Sequence, residues 1–189
     1  QSAGATYRLG GDDAWVEVAG PEVGPSPRFN ATMGYDPIRE RVVLFGGYPT
    51  SPPFDTLGDT WEWDGTSWLA RTPLESPLPR TGASMVFDPA AGALVLVGGG
   101  ADNYLWTWDG ETWTSRALAG ATLASVRAAY DPRRRELLLT RYVTFPDDEL
   151  EVFRLRLEAD DADETCLAAT IDGDHDGLAG CDDLDCRAV

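Results

Sequence analysis

The chain has 189 residues and a formal net charge of −17, from 32 acidic residues against 15 Lys and Arg. This balance argues against a nucleic-acid ligand, because binding phosphates requires a basic face. No apolar run reaches the roughly 18 residues of a membrane-spanning helix, so the sequence predicts no membrane span.

The chain begins with half of a pattern that it later repeats. Thr6–Gly11 followed by Trp15 parallels Thr60–Gly65 followed by Trp68. Residues 1–18 correspond to the second half of a unit, whose first half would lie upstream. We therefore expect Gln1 to fall in a loop between two strands and the chain to be part of something larger.

Residues 27–69 carry the full pattern. The sequence predicts a strand A at about Phe29–Tyr35 and an apolar strand B ending in a glycine pair at Val42–Gly47. An aromatic strand C at Thr60–Trp63 and a strand D opening at Trp68 follow. A continuous apolar run such as strand B is typical of a strand buried on both faces.

The same order returns twice further along the chain. Residues 79–114 repeat it fully, with the apolar run Ala93–Gly99 and the closing Trp113. Residues 125–157 repeat it in part, because Leu137–Leu139 has no glycine pair after it. Each repeat joins strands A and B through an Asp-Pro turn, at Asp36, Asp88 and Asp131.

These repeats resemble kelch repeats, in which an apolar strand ends in Gly-Gly and an aromatic strand leads into a turn and a spaced tryptophan. The resemblance covers about residues 4–157. It implies an all-β fold of kelch-type β-propeller blades, about three in this chain, with the ring incomplete. Upstream blades in another chain, or a second copy of this chain, would complete the ring; the first is favoured because of the position of Gln1. The fold alone does not decide the function.

The loops between strands B and C vary in length and emerge on the same side as the connectors from strand D to the next strand A. Variable loops on a rigid scaffold often carry binding sites. Their aromatic side chains are therefore predicted to form a ligand face, or alternatively to cap the core: Tyr48, Phe54, Tyr104, Tyr142 and Phe145.

Arg28, Arg80 and Arg127 are predicted to occupy equivalent places at the start of strand A. They could surround the propeller axis as a site for an anionic ligand. We favour the other interpretation, in which each guanidinium satisfies backbone carbonyls between blades.

The composition changes at Glu158, because residues 158–189 hold 11 acidic residues and a single Arg. We expect a small irregular metal-binding tail, because Asp172–Gly177 followed by Asp183 fits the calcium loop pattern D-x-D-x-D-G-x5-[D/E]. The predicted Ca²⁺ ligands are Asp172, Asp174, Asp176, the carbonyl of Leu178, and Asp183. A disordered acidic linker is the alternative.

All three cysteines lie in this tail, at Cys166, Cys181 and Cys186. They allow one disulfide within the tail and leave one thiol free or paired outside the chain. Cysteines clustered in a small segment with few core residues favour an oxidising compartment. The tail resembles the acidic Cys-bearing metal-binding motifs that end many secreted bacterial surface proteins, and also thrombospondin type 3 calcium repeats. The resemblance implies a secreted or cell-surface protein.

The repeats contain few residues that could support catalysis, because the single His, His175, lies in the tail and no Cys lies in the repeats. The sequence thus predicts a non-enzymatic extracellular or cell-surface binding and scaffold protein, whose propeller loops recognise a protein or a glycan. The alternative is a part of a carbohydrate-active propeller enzyme, with its site completed by the missing blades.

Overall fold

A computed structural model describes residues 4–100, 102–118, 123–143 and 149–157. The described part is all-β, as predicted, with one short 3-10 turn at Pro21–Val23. Its strands are β1 (Thr6–Leu9), β2 (Trp15–Ala19), β3 (Arg28–Phe29), β4 (Thr32–Asp36), β5 (Arg41–Pro49), β6 (Leu57–Trp63), β7 (Trp68–Arg71), β8 (Ser84–Asp88), β9 (Ala93–Val97), β10 (Tyr104–Trp108), β11 (Trp113–Ala117), β12 (Val126–Asp131), β13 (Glu136–Val143) and β14 (Glu149–Leu155).

The strands form four antiparallel sheets in chain order. The first sheet is β1–β2, and the second contains β3 to β7, with β3 and β4 both paired to β5. The third is ordered β11-β10-β9-β8 and the fourth β12-β13-β14. Within the described residues these sheets do not close into a ring.

The strands predicted from the repeats are present, with two differences. β5 continues past the predicted end at Gly47 to Pro49, where it pairs with β3. Strand A of the second sheet is divided into β3 and β4, because Asn30 adopts a positive φ of 54° between them. The carbonyl of Asn30 accepts a hydrogen bond from the backbone of Gly82, near the start of the third sheet. The break thus connects two neighbouring sheets.

The A–B turns form as predicted at Asp36, Asp88 and Asp131. Each aspartate accepts hydrogen bonds from the backbone N–H groups two and three residues further on, for example those of Ile38 and Arg39. The carboxylate thus pairs with the backbone N–H groups of the turn in place of a backbone carbonyl.

The sheets pack face to face in sequence order. Val43 and Phe45 of the second sheet meet Met85, Trp108 and Trp113 of the third in one apolar cluster. Two further clusters join the third sheet to the fourth. Because the third sheet packs against both the second and the fourth, all five side chains of its strand β9 are buried. Gln1–Leu157 forms one compact unit.

The tryptophan that opens strand D connects its sheet to the one before it. Trp113 Nε1 donates a hydrogen bond to Thr60 Oγ1 at 3.0 Å, and Trp68 Nε1 donates to Thr6 Oγ1 at 2.7 Å. Thr6 and Thr60 hold the same place in their repeats. The first sheet therefore contacts the second through the same hydrogen bond as the second contacts the third.

A buried carboxylate adds to the contact between the second and third sheets. Glu62 is 3% exposed and accepts a hydrogen bond from Trp108 Nε1 at 2.9 Å. Its other oxygen accepts from Arg71 of the adjacent strand β7 at 2.5 Å. Both oxygens of this buried charge are thus paired, as burial requires.

Candidate functional site

Three aromatic side chains lie together where β3, β5 and the following loop meet, and we call them the aromatic surface: Phe29, Tyr48 and Phe54. The ring centroids of Phe29 and Tyr48 are 5.3 Å apart, and those of Tyr48 and Phe54 are 6.3 Å apart with nearly parallel planes. Phe29 is 50% exposed and Phe54 is 55% exposed. Two large apolar rings flanking a half-buried tyrosine are thus left accessible to solvent.

The register of β3 on β5 explains this arrangement. Phe29 pairs with Tyr48 across the two strands, which brings their side chains to the same face. Thr50 then connects the loop after β5 to the segment before β3, because its backbone N–H and its hydroxyl both donate to the carbonyl of Pro27. The loop that carries Phe54 is thereby held beside β3.

An ion pair supports the surface from β3 and β6. Arg28 donates to both carboxylate oxygens of Asp59, at 2.6 and 2.9 Å, and to the carbonyl of Gly46. Trp61 Nε1 also donates to Asp59, at 2.6 Å. Burial of the Asp59 carboxyl acts to raise its pKa, but the hydrogen bonds from Arg28 and Trp61 outweigh burial and hold this pKa below its usual value.

The structure brings together only part of the predicted ligand face. Tyr48 and Phe54 stack on each other, whereas Tyr104, 43% exposed, contacts Trp106 at a centroid distance of 6.4 Å. The side chain of Tyr142 and the whole of Phe145 lie outside the described residues. Phe54 is largely open to solvent, whereas Tyr104 lies against Trp106, which packs on the cluster between the second and third sheets.

Sequence reasoning missed Phe29. Its signal was its position directly after Arg28, at the start of predicted strand A, where the connector from the preceding repeat ends. Connectors of this kind were expected on the same side as the B–C loops, so a search of both segments for aromatic residues would have found it.

The charge around the aromatic surface is acidic. Asp55, next to Phe54, is exposed and makes no hydrogen bond or ion pair with the described residues. The side chain of Asp59 is 38% exposed, while its partner Arg28 is 5% exposed beneath it. A ligand on the rings would therefore meet carboxylate oxygens more readily than the guanidinium.

The predicted equivalence of the three arginines holds for two of them. Arg28 and Arg80 make the same bonds, each to the carbonyl of the first glycine of its own pair and to an aspartate. In the fourth sheet Leu123 takes this place, because its carbonyl approaches Gly98 as the carbonyl of Arg80 approaches Gly46. Arg127 lies further along and donates to the carbonyl of Gly82. All three arginines donate to backbone carbonyls, as the favoured interpretation of the sequence predicted.

A shallow, open depression of about 440 Å³ lies on turns at the other ends of the strands, lined by Arg39, Asp109, Gly110 and Glu111. Arg39 is already paired with Asp36 and donates to the carbonyl of Gly92. Asp109 accepts from the backbone of Glu111 and Thr112. The polar groups of this depression therefore serve the turns themselves.

In comparisons with known proteins, no protein-family model matches the chain and no curated protein matches it. In the described part of the chain, no group of three or more His, Cys, Asp and Glu is placed to hold a metal. The predicted calcium ligands and all three cysteines, between residues 158 and 189, lie outside the described residues. No helix among the described residues is long and apolar enough to cross a membrane.

Proposed function

We propose that this protein is an extracellular or cell-surface binding and scaffold protein, and that the aromatic surface of Phe29, Tyr48 and Phe54 is its ligand face. The observation that carries this proposal is the exposure of Phe29 and Phe54 around Tyr48 on a segment held by the Arg28–Asp59 pair. Exposed rings held in fixed positions offer apolar contact area at little cost in conformational entropy.

The surface suits a ligand that combines an apolar face with hydrogen-bond donors. The flat rings can contact the C–H face of a sugar or the side chains of a protein loop, while Asp55 and the exposed part of Asp59 accept hydrogen bonds. Both a glycan and a protein segment meet this description. The acidic surroundings disfavour an anionic ligand.

The scaffold in this proposal is a kelch-type β-propeller, with the sheets as its blades. Support comes from the repeated Trp-to-Thr hydrogen bond between successive sheets and from the contacts of β4 with β8 and of β8 with β12. Innermost strands that follow one another in this way are typical of blades around an axis. Further blades, from another chain or a second copy, would complete the ring.

The tail in this proposal binds Ca²⁺ through Asp172, Asp174, Asp176, Asp183 and the carbonyl of Leu178. Carboxylate and carbonyl oxygens are the donors that Ca²⁺ prefers, and Gly177 permits the sharp turn of such a loop. Bound Ca²⁺ would order the acidic segment by neutralising its charge. A disulfide among the three cysteines would suit a secreted or cell-surface location.

The ligand face is tested by binding to a glycan array and to a library of immobilised peptides. Tyr48→Ala and Phe54→Ala should each weaken the strongest interaction by about fivefold or more, since truncating a central aromatic contact typically costs roughly 1–3 kcal/mol. Leu74→Ala is the matched control, because Leu74 is 98% exposed in a loop outside the aromatic surface. Equal affinity of all the variants for every ligand would exclude this surface as the binding site.

A further inference from the structure

The side-chain donors that support the aromatic surface are already used within the protein. All five N–H groups of Arg28 make hydrogen bonds, and their acceptors are the carbonyl and the hydroxyl of Ser26, the carbonyl of Gly46 and both carboxylate oxygens of Asp59. The indole N–H of Trp61 donates to Asp59 as well. A ligand that lies on the rings therefore finds neither the guanidinium nor the indole free to donate to it.

The polar groups that remain free are mainly acceptors. Asp55 follows Phe54 in the chain, is exposed, and makes no hydrogen bond or ion pair with the described residues. The carboxylate of Asp59 is 38% exposed, while the Arg28 side chain bound to it is 5% exposed. The hydroxyl of Tyr48 makes no hydrogen bond with the described residues either, and it can both donate and accept. Rings and carboxylate oxygens thus dominate what the surface offers to a ligand.

This division of donors and acceptors favours a cation over a sugar. Each hydroxyl of a sugar both donates and accepts, so a bound sugar needs protein donors of the kind that Arg28 and Trp61 no longer supply. A guanidinium carries five donors and no acceptor, so it needs only acceptors around it. Its positive charge is attracted by a carboxylate and also by the faces of aromatic rings.

The orientation of the rings favours arginine over lysine. The planes of Tyr48 and Phe54 differ by 7°, and their centroids are 6.3 Å apart. Two rings with nearly the same orientation can accept one flat group against their faces. A guanidinium is planar and stacks on aromatic rings, whereas an ammonium is a compact and strongly hydrated charge. A stacked guanidinium keeps its N–H groups at its edge, where they can donate to a carboxylate such as that of Asp55.

We propose that the ligand of the aromatic surface is a basic protein segment, and that an arginine side chain of this segment lies on Tyr48 and Phe54 and binds the carboxylate of Asp55. This inference rests on the proposed function, because it names the ligand class of the same surface. The net charge of −17 on the chain attracts a basic segment over a longer range and raises its rate of association.

A library of immobilised peptides, each synthesised in three forms, tests this proposal with the full chain. One form carries arginine, the second lysine, and the third citrulline, which has nearly the shape of arginine but no charge. The strongest binders should contain arginine, and citrulline in its place should weaken binding by about fivefold or more, because both the ring contact and the ion pair lose their charge. Lysine should recover only part of the difference, since it does not stack as a plane.

Asp55→Asn tests the carboxylate without altering the rings. It should weaken binding of the arginine form by about threefold or more, and leave the citrulline form within about 1.5-fold, because only a charged ligand interacts with the lost charge. Glu111→Gln is the matched control, since Glu111 is also exposed but lies on the turns at the other ends of the strands. Its affinity for the arginine form should stay within about 1.5-fold of that of the unmodified chain, because solvent and salt screen a distant charge.

Three results would overturn this inference and leave the proposed function standing. The strongest ligand could be a neutral glycan whose binding Phe54→Ala weakens and Asp55→Asn does not. The citrulline form could bind as tightly as the arginine form and still depend on Phe54. Free arginine could bind as tightly as the peptides, which would assign the surface to a small molecule.

A different result would remove both proposals. If the arginine peptides bind equally well to the unmodified chain, to Tyr48→Ala and to Phe54→Ala, their binding site lies outside the aromatic surface.

Discussion

At the scale of single residues, the Asp59 carboxylate joins three parts of the second sheet. It binds Arg28 of β3 and Trp61 of β6, while Arg28 also reaches the carbonyl of Gly46 in β5. The Arg28 guanidinium is 5% exposed, so it depends on Asp59 to neutralise its charge. A nearly buried cation that loses its counter-ion is destabilising even where the lost carboxylate was partly solvated.

Asp59→Asn should therefore lower the free energy of unfolding by about 1–2 kcal/mol, a value reduced for the exposure of the carboxylate. The pKa of Asp59 is lowered in the folded state, so its contribution is present above the unfolded-state pKa of about 3.9 and is lost as the pH falls through the folded value. Denaturant titrations at a series of pH values should show the difference in stability between the Asp59→Asn variant and the unmodified protein shrinking below about pH 4.

Asp55→Asn is the control for this prediction, because Asp55 is exposed and unpaired in the described part of the chain. Its effect should stay within about 0.5 kcal/mol. A pH-independent loss of stability in Asp59→Asn would contradict the assigned role of the charge.

The hydroxyl of Thr60 has a comparable role between sheets. It accepts from the indole of Trp113, which is 1% exposed. In Thr60→Val the shape is kept but the buried N–H loses its acceptor, so we expect a loss of about 1–3 kcal/mol in thermal or denaturant unfolding. Thr72→Val, at an exposed position outside the interface, should change stability little. Equal stability of the two variants would mean that water replaces the hydroxyl.

At the scale of elements, the glycine pair of β5 lies where the pairing of β5 with β6 shifts its register. Gly46 has a φ of +67°, and a Cβ there would lie 2.5 Å from the carbonyl oxygen of Arg80. That oxygen also accepts the backbone hydrogen bond of Gly47. The backbone of the next repeat thus crosses β5 at Gly46, at a distance that only glycine permits.

Gly46→Ala should cost at least about 3 kcal/mol, because it combines an unfavourable φ with a clash against backbone. Gly65→Ala separates the two causes, since Gly65 has a φ of +97° but no neighbour within 4 Å of a Cβ. We expect a loss of about 1 kcal/mol there. Chemical denaturation measures both, and similar values would show that the approach of Arg80 is readily relieved.

At the scale of the whole molecule, the residue that strand C offers to the next sheet matches the residue that it meets there. Where strand D of the next sheet carries Trp68 or Trp113, strand C of the sheet before it carries Thr6 or Thr60 as acceptor. The third sheet has Leu105 at this place, and it packs in an apolar cluster with the fourth sheet. At this place the first two contacts between sheets are thus polar and the third is apolar, according to what the next repeat provides.

The proposed calcium tail gives a prediction at this scale. Titration calorimetry of the chain with Ca²⁺ should show binding heat that Asp174→Ala abolishes, because a central carboxylate ligand is lost. The unfolding transition of Gln1–Leu157, which is a compact unit of its own, should be the same with Ca²⁺ and with chelator. Asp160→Ala, outside the loop pattern, is the control. No heat with either the unmodified chain or the control would remove calcium from the proposal.

The sequence alone determined the order of the strands and most of their positions, because the repeats carry an Asp-Pro turn, an apolar run and a strand C in the same order. It also identified the B–C loop with Tyr48 and Phe54, since loop length is visible without a structure. Local pattern suffices for these features: an Asp-Pro turn or a doubly buried strand is specified by its own residues.

Tertiary structure decided what depends on neighbours. Phe29 joined the aromatic surface through the pairing of β3 with β5, and Leu123 replaced Arg127 through the crossing at Gly98. Met33 of β4 is 59% exposed while Met85, at the same place in β8, is 6% exposed, because the two sheets have different neighbours. Register and inter-sheet contact join residues that are distant in sequence, and a local pattern carries no information about which neighbour is present.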